Sequence, residues 1–280
     1  LDILFEPFLF LFMQQGFLIL LAVSIPTAIL SCFIVLKGWA LIGDAISHSV
    51  LPGVVLAYVL GFSFALGGFL AGLVCALLTG FLTENSRLKE DTVMGLVFSI
   101  MFALGIILIS KIETTVHLDH ILFGDLLGLS WRDVGETFGL AILVLVLLFL
   151  FGRNLLLYIF DSVHASVAGL SNRLLHYGLL SILCVTVVGA LKAVGMILVI
   201  AMLITPGAIS YLLTKRFQSM IVVSVAVSVV CSFLGIYLSF FLDSAPAPTI
   251  ICVFTLLFID VFLMKSLTNK AVTTSSKAKV

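Results

Sequence analysis

The sequence predicts an all-α polytopic membrane protein with about eight to nine transmembrane helices. Three observations predict it. Of 280 residues, 62% are hydrophobic and only 10% are charged, against about a quarter charged in a soluble domain. Apolar runs long enough to cross a bilayer, about 20 residues each, recur along the chain. The few basic residues gather in alternate gaps between those runs. The 22 glycines are spread through the apolar runs, as suits closely packed membrane helices. A net charge of zero carries no information about partners, because the charges segregate by side of the membrane.

The runs fall at approximately 11–36, 41–60, 64–83, 91–110, 132–152, 174–190, 194–213, 219–242 and 249–265. Those flanking Lys192 are the least separated, and merging them would leave eight spans. No cleavable signal peptide is expected, since Asp2 and Glu6 stand where a basic region would be. A chain starting at Leu1 is expected to lack its initiator. With the N-terminus outside, the inner side holds Lys37, Arg87, Lys89, Arg153, Arg173, Lys215, Arg216, Lys265, Lys270, Lys277 and Lys279. The outer side holds Lys111, Arg132 and Lys192. This bias obeys the positive-inside rule and puts the C-terminus in the cytoplasm. Residues 1–265 then form one transmembrane domain. Residues 266–280, polar and small, are expected to be a disordered cytoplasmic tail.

All five cysteines, Cys32, Cys75, Cys184, Cys231 and Cys252, lie in apolar runs without a C-x-x-C pair. They read as small buried hydrophobes. Gly68 with Gly72, and Gly124 with Gly128, have the G-x-x-x-G spacing of packed membrane helices. Pro206 should kink the seventh span, either as a movable gate or as a packing irregularity. Asp260, near the inner end of the last span, reads as a residue that snorkels or pairs with Lys265. His164 and His176 read as cytoplasmic surface residues.

Two segments outside the membrane stand out. The outer one, 112–130, contains Glu113, His117, Asp119, His120 and Asp125. It can be a metal-catching cluster at an outer mouth, an ordinary solvated loop, or a contact surface for another protein. The inner one, 161–173, reads as a short helix capped by Asp161 or Ser162 and ended by Gly169. Such a helix in a cytoplasmic loop can dock a soluble partner or simply lie at the interface.

The chemistry concentrates in the second span, Gly43-Asp44-Ala45-Ile46-Ser47-His48-Ser49-Val50-Leu51-Pro52-Gly53. Asp44 and His48 are four apart and share a helix face. Asp44 lies seven residues past Lys37, about 10 Å along a helix at 1.5 Å per residue. An ionised group at the membrane centre costs about 2.5–3.5 kcal/mol and marks a functional site by default. Pro52 frees the carbonyl of His48, and a broken helix at membrane depth is tolerated where it lines a cavity. Carboxylate, imidazole and carbonyl suit Mn²⁺, Fe²⁺ or Zn²⁺, and the lack of thiolate argues against Cu⁺. Two side chains do not complete a metal shell, whereas a second copy across a two-fold axis could. The competing reading is a plain Asp44–His48 pair that bridges helices.

Several enzyme classes are excluded. No H-E-x-x-H is present, nor a G-x-x-x-x-G-K-[ST] phosphate loop, so an ATP motor would have to be another polypeptide. Gly43-Asp44 and Gly124-Asp125 also lack the glycine two positions earlier that an intramembrane aspartyl protease would show.

Four ordered blocks carry a family resemblance over nearly the whole chain. They are Lys37–Gly53, His117–Asp125, Val188–Gly195 and Asp243–Thr249. The chain resembles the zinc/manganese/iron (ABC-3) permeases of bacterial importers, and most of all their Sit/Yfe-type manganese and chelated-iron branch. The resemblance implies a cluster A-I (type II-like) ABC importer permease fold in the inner membrane. It implies a second permease subunit, identical or different, two ABC ATPase subunits and a periplasmic metal-binding protein, with no bound cofactor beyond the transported ion and the partner's ATP. Asp44 and His48 match the family's membrane metal site. Residues 161–173 match its coupling helix, with Asp161, Ala165, Gly169 and Leu170 as the coupling positions. An ion-coupled secondary metal carrier using Asp44 as a proton site, and a non-transporting scaffold or receptor, are the alternatives.

Overall fold

The computed structural model describes the backbone of residues 2–39, 41–111, 124, 126 and 128–277. Among these residues the chain is built of helices. A short α1 (Asp2–Leu9) leads into α2 (Leu11–Lys37), α3 (Ile42–Leu60), α4 (Phe64–Asn85) and α5 (Glu90–Lys111). After the outer segment come α6 (Trp131–Phe160), a one-and-a-half-turn α7 (Ser162–Val167), α8 (Asn172–Val194), α9 (Met196–Leu213), α10 (Phe217–Leu242) and α11 (Pro246–Lys277). Nine of these are long and apolar enough to span a membrane. Lys192 does not interrupt a span: it lies in the last turn of α8. The break falls at Gly195, whose φ of 79° and ψ of 162° belong to a region essentially restricted to glycine.

Helix ends follow local chemistry. Gly38, at φ 78°, closes α2 by donating its N–H to the Ile34 carbonyl at 3.0 Å, the left-handed cap glycine favours. Ser130 opens α6 with a reciprocal capping box to Asp133. The last helix continues to Lys277, past the point at which the sequence reading began a disordered tail. Residues 266–277 contain neither Gly nor Pro, so nothing in them breaks the backbone of the helix they extend.

Helices α2 and α3 are the two most buried spans; α4 and α5 pack on α3, α6, α9 and α10 pack on α2, and α11 packs on α9 and α10. The tightest crossing is between α3 and α4. A Cβ on Gly53 would lie 2.2 Å from the Gly67 carbonyl oxygen, and one on Gly67 would lie 2.3 Å from that of Gly53. Ala57 and Ala71 flank this point. The small-residue interface is therefore centred on Gly67, one position from the expected Gly68/Gly72 pair. Gly68 and Gly72 sit beside it against Val50 and Ile46. Gly124 and Gly128 lie outside any helix, so their spacing is not a helix-packing motif. Gly124 instead lies against the α8–α9 break, where a Cβ would meet the Gly195 nitrogen at 2.5 Å.

Polar groups tie the apolar core together. Ser24 and Ser232 Oγ atoms are 3.1 Å apart, and Ser224 donates to the Ala28 carbonyl at 2.9 Å. Pro206 lies inside α9, where a missing N–H and ring clash disturb the backbone ladder. The Ser31 hydroxyl compensates, accepting from Gly207 N at 2.8 Å and donating to the Ile204 carbonyl at 3.2 Å. Side-chain repair by a neighbouring helix is the usual way proline is accommodated in membrane helices. At Pro206 the structure thus shows a fastened irregularity. Four cysteines are buried free thiols, whereas Cys252 is exposed on α11, because its side of that helix faces away from the bundle.

Candidate metal site and docking elements

Gly38, Trp39 and Leu41 belong to the connection between α2 and α3. Trp39 folds back, its N–H meeting the Ile34 carbonyl at 3.1 Å, and its ring is fully buried. Asp44 therefore sits in the first turn of α3, where the helix dipole favours a carboxylate. The continuous-helix reckoning from Lys37 placed it too deep, because Gly38 ends the preceding helix. His48 follows one turn further in.

Their side chains meet. His48 Nε2 is 3.3 Å from Asp44 Oδ1, with both side chains only partly exposed. A ligand pair around a metal at about 2.0–2.2 Å is separated by roughly 3.0–3.5 Å, so the gap matches one edge of a coordination shell. The Ser49 hydroxyl donates to the Ile46 carbonyl at 2.7 Å in its own helix. Ser47 Oγ is buried and has no hydrogen-bond partner among the described residues. The helix runs through Pro52 without interruption, contrary to the broken span expected there. Leu51 and Pro52 are packed by Gly105 of α5, which holds α3 in place across the proline.

Among the described residues no group of three or more His, Cys, Asp or Glu side chains could hold a metal. Asp44 and His48 would offer a metal two side-chain ligands, and the rest of a shell would have to come from outside the described residues. His117, Asp119, His120 and Asp125, the outer cluster, lie outside the described residues. An aromatic pair on α5, which has no spacing signal relative to α3, flanks His48: Phe98 and Phe102 each place a ring centroid 4.9 Å from the imidazole.

At the basic end of the bundle, α7 forms as its capping residues dictate. Asp161 Oδ1 accepts the His164 N–H at 2.8 Å. Gly169, at φ 82°, ends the turn, with Leu170 N reaching the Ala165 carbonyl at 3.0 Å. Asn172 fastens α7 to α8 by donating Nδ2 to the Ser162 carbonyl and to Ser166 Oγ, both at 2.9 Å. Ala165 is fully buried, so it supports this element from within. Val163 and Val167, exposed at 73% and 80%, form the outward apolar face that the sequence reading omitted. Asp161 and Gly169 are exposed, and Leu170 is half-buried.

His164 is exposed as expected, but His176 is not a free surface residue. Its Nδ1 is 3.1 Å from the Tyr158 hydroxyl, and its ring packs edge-on against Trp39 and Tyr177. Lys37 Nζ lies 4.3 Å from the Tyr158 ring centroid. Glu84 and Arg173 pair at 3.4 Å nearby. Asp260 is exposed on α11. At the opposite end Lys192 pairs with Asp133, joining α8 to α6. The Ser130–Asp133 spacing is that of a capping box, whereas the Lys192–Asp133 and Tyr158–His176 contacts have no local spacing signal.

Comparisons with known proteins agree with this architecture. Residues 9–265 match the ABC 3 transport family. The chain is 50% identical over 254 residues to the chelated iron transport system membrane protein YfeD of Yersinia pestis, covering 91% of this chain and 86% of that protein. It is 45% identical over 256 residues to the manganese transport system membrane protein MntB of Synechocystis sp., covering 91% and 84%. Among solved structures it resembles PsaBC from Streptococcus pneumoniae in complex with a Fab, with a TM-score of 0.81 and 37% identity over 90% of this chain and 91% of that one. A match spanning nearly all of the membrane helices, with relatives at this identity, identifies the chain as a member of the ABC 3 transport family.

Proposed function

We propose that the chain is the membrane permease subunit of an ATP-driven importer for a divalent transition metal, with Mn²⁺ first and Fe²⁺ or Zn²⁺ as further substrates. The observation that carries this reading is the Asp44–His48 pair, 3.3 Å apart on the inner turns of a membrane helix, in a chain of this family. The names of its relatives, which specify manganese and chelated iron, support the choice of metals. Carboxylate and imidazole accept all three ions.

In this reading two permeases pair. Asp44 and His48 of this chain and the equivalent groups of its partner contribute, and the joint site holds the ion briefly between an outward-open and an inward-open state. Binding must be weak enough to permit release. An extracytoplasmic metal-binding protein delivers the ion. Two ATPase subunits dock on α7 and supply the energy, since this chain has no phosphate loop of its own. Val163 and Val167 form the seat, Ala165 packs it against the bundle, and Asp161, Gly169 and Leu170 shape it. The Lys/Arg bias supports an outside N-terminus and a cytoplasmic C-terminus in the bacterial inner membrane. Lys37, α7 and the Glu84–Arg173 pair would then face the cytoplasm.

Family membership favours this over an ion-coupled secondary carrier. Reconstitution separates the two. The importer should accumulate Mn²⁺ only with ATP and all partner subunits, whereas uptake driven by a proton gradient without them would contradict the proposal.

A further inference from the structure

Helix α5 contributes no metal ligand, yet it dominates the surroundings of His48. Phe98 and Phe102 are one turn apart, with ring centroids 6.1 Å from each other. Their planes are tilted 51° and 78° from the imidazole. His48 Nε2 faces Asp44. The other ring nitrogen, Nδ1, is buried and has no hydrogen-bond partner among the described residues.

That arrangement is unusual for a metal-binding histidine. Such an imidazole ordinarily donates its second N–H to a carboxylate, a backbone carbonyl or water, which fixes the ring and strengthens it as a ligand. The effect is large: loss of such support typically costs about 10–100-fold in metal affinity. Beside His48 the neighbours are aromatic carbon, and an N–H directed at a ring makes only a weak bond.

We propose that Phe98 and Phe102 are positioning residues that hold His48 by ring packing while withholding the polar support that would make it a stronger metal ligand. This deepens, and rests on, the reading of Asp44 and His48 as a site for transported metal. Its consequence is kinetic. The imidazole is oriented toward Asp44 and ready to bind, but its hold on the ion stays weak, so release is fast.

The test uses the intact, reconstituted importer, with Mn²⁺ binding at equilibrium and ATP-driven Mn²⁺ uptake as readouts. Phe98→Gln and Phe102→Gln introduce a side-chain acceptor beside the imidazole. At least one should bind Mn²⁺ about tenfold more tightly, with KM and maximal rate falling together. Phe98→Leu and Phe102→Leu keep apolar bulk without an acceptor and should not tighten binding, whereas Phe→Tyr at each position should stay near wild type. Glutamine variants that bind no more tightly than the leucine variants would overturn the proposal. A measurement without any variant stands beside these. In wild type, the ¹⁵N-labelled His48 imidazole should show Nδ1 free of a strong hydrogen bond, and a strongly hydrogen-bonded Nδ1 would also overturn it. Asp44→Ala separates the two claims. If it leaves binding and uptake intact, the underlying metal-site reading fails, whatever the phenylalanine variants do. If it abolishes them while Gln and Leu variants behave alike, only the role of the phenyl rings fails.

Discussion

Asn172 Nδ2 lies 2.9 Å from the carbonyl oxygen of Ser162, stapling the first turn of α8 to the start of α7. The same nitrogen reaches Ser166 Oγ at 2.9 Å. A six-residue helix is too short to be stable by itself, and these bonds are part of what gives it a fixed orientation. If α7 is where a motor subunit docks, Asn172 transmits its displacement to α8. Asn172→Ala should therefore leave ATP hydrolysis running while uptake per ATP falls several-fold. Parallel assays of phosphate release and metal accumulation would show it, and an unchanged ratio would refute the link.

The face of α7 makes a second prediction. Val163 and Val167 are exposed one turn apart, whereas Ala165 is buried. Val163→Asp or Val167→Asp should abolish co-purification of the ATPase subunit without harming the permease fold. Ala165→Leu should instead destabilise the element from inside, by about 1–3 kcal/mol for overpacking. A lower melting temperature for the isolated permease with Ala165→Leu, but not with the valine variants, would distinguish them.

Gly53 and Gly67 bring α3 and α4 into backbone contact. A methyl group at either position cannot fit without separating the helices. Gly67→Val should lower the thermal stability of the detergent-solubilised protein and displace α3, with loss of uptake. Gly95→Ala is the control, because nothing lies near a Cβ at that position. Equal melting temperatures for the two variants would contradict the crossing.

Asp133 has two roles at the other end. Its Oδ2 accepts the backbone N–H of Ser130 at 2.9 Å, while its Oδ1 pairs with Lys192. An exposed ion pair contributes about 0–1 kcal/mol, and an N-terminal cap about 0.5–2 kcal/mol. Asp133→Ala should therefore destabilise the protein more than Lys192→Met does. Thermal unfolding of both variants at low and high salt checks this. Only the ion-pair share should shrink with salt.

What could be read from the sequence divides by range. The nine spans follow from apolar runs, and the ends of α7 follow from Asp161 and Gly169, because caps and hydrophobic length are local properties. The shared face of Asp44 and His48 follows from helical spacing in the same way. Other features depend on residues distant in the chain. Ser31 repairs the backbone at Gly207 from another helix, and Lys192 reaches Asp133. Tyr158 meets His176, and Phe98 and Phe102 enclose His48. None of these pairs has a spacing signal, so tertiary packing alone brings them together. The depth of Asp44 was misjudged for a smaller reason. Gly38 ends α2 and starts a turn, a local signal that counting from Lys37 passed over.

The central claim is that Asp44 and His48 carry the metal, and ATP-driven Mn²⁺ uptake by the reconstituted complex tests it most directly. Wild type is compared with Asp44→Ala and His48→Ala at equal amounts of assembled complex. Uptake should fall to background in Asp44→Ala and drop sharply in His48→Ala, with ATP hydrolysis and assembly retained. Uptake at the wild-type rate in either variant would contradict the account.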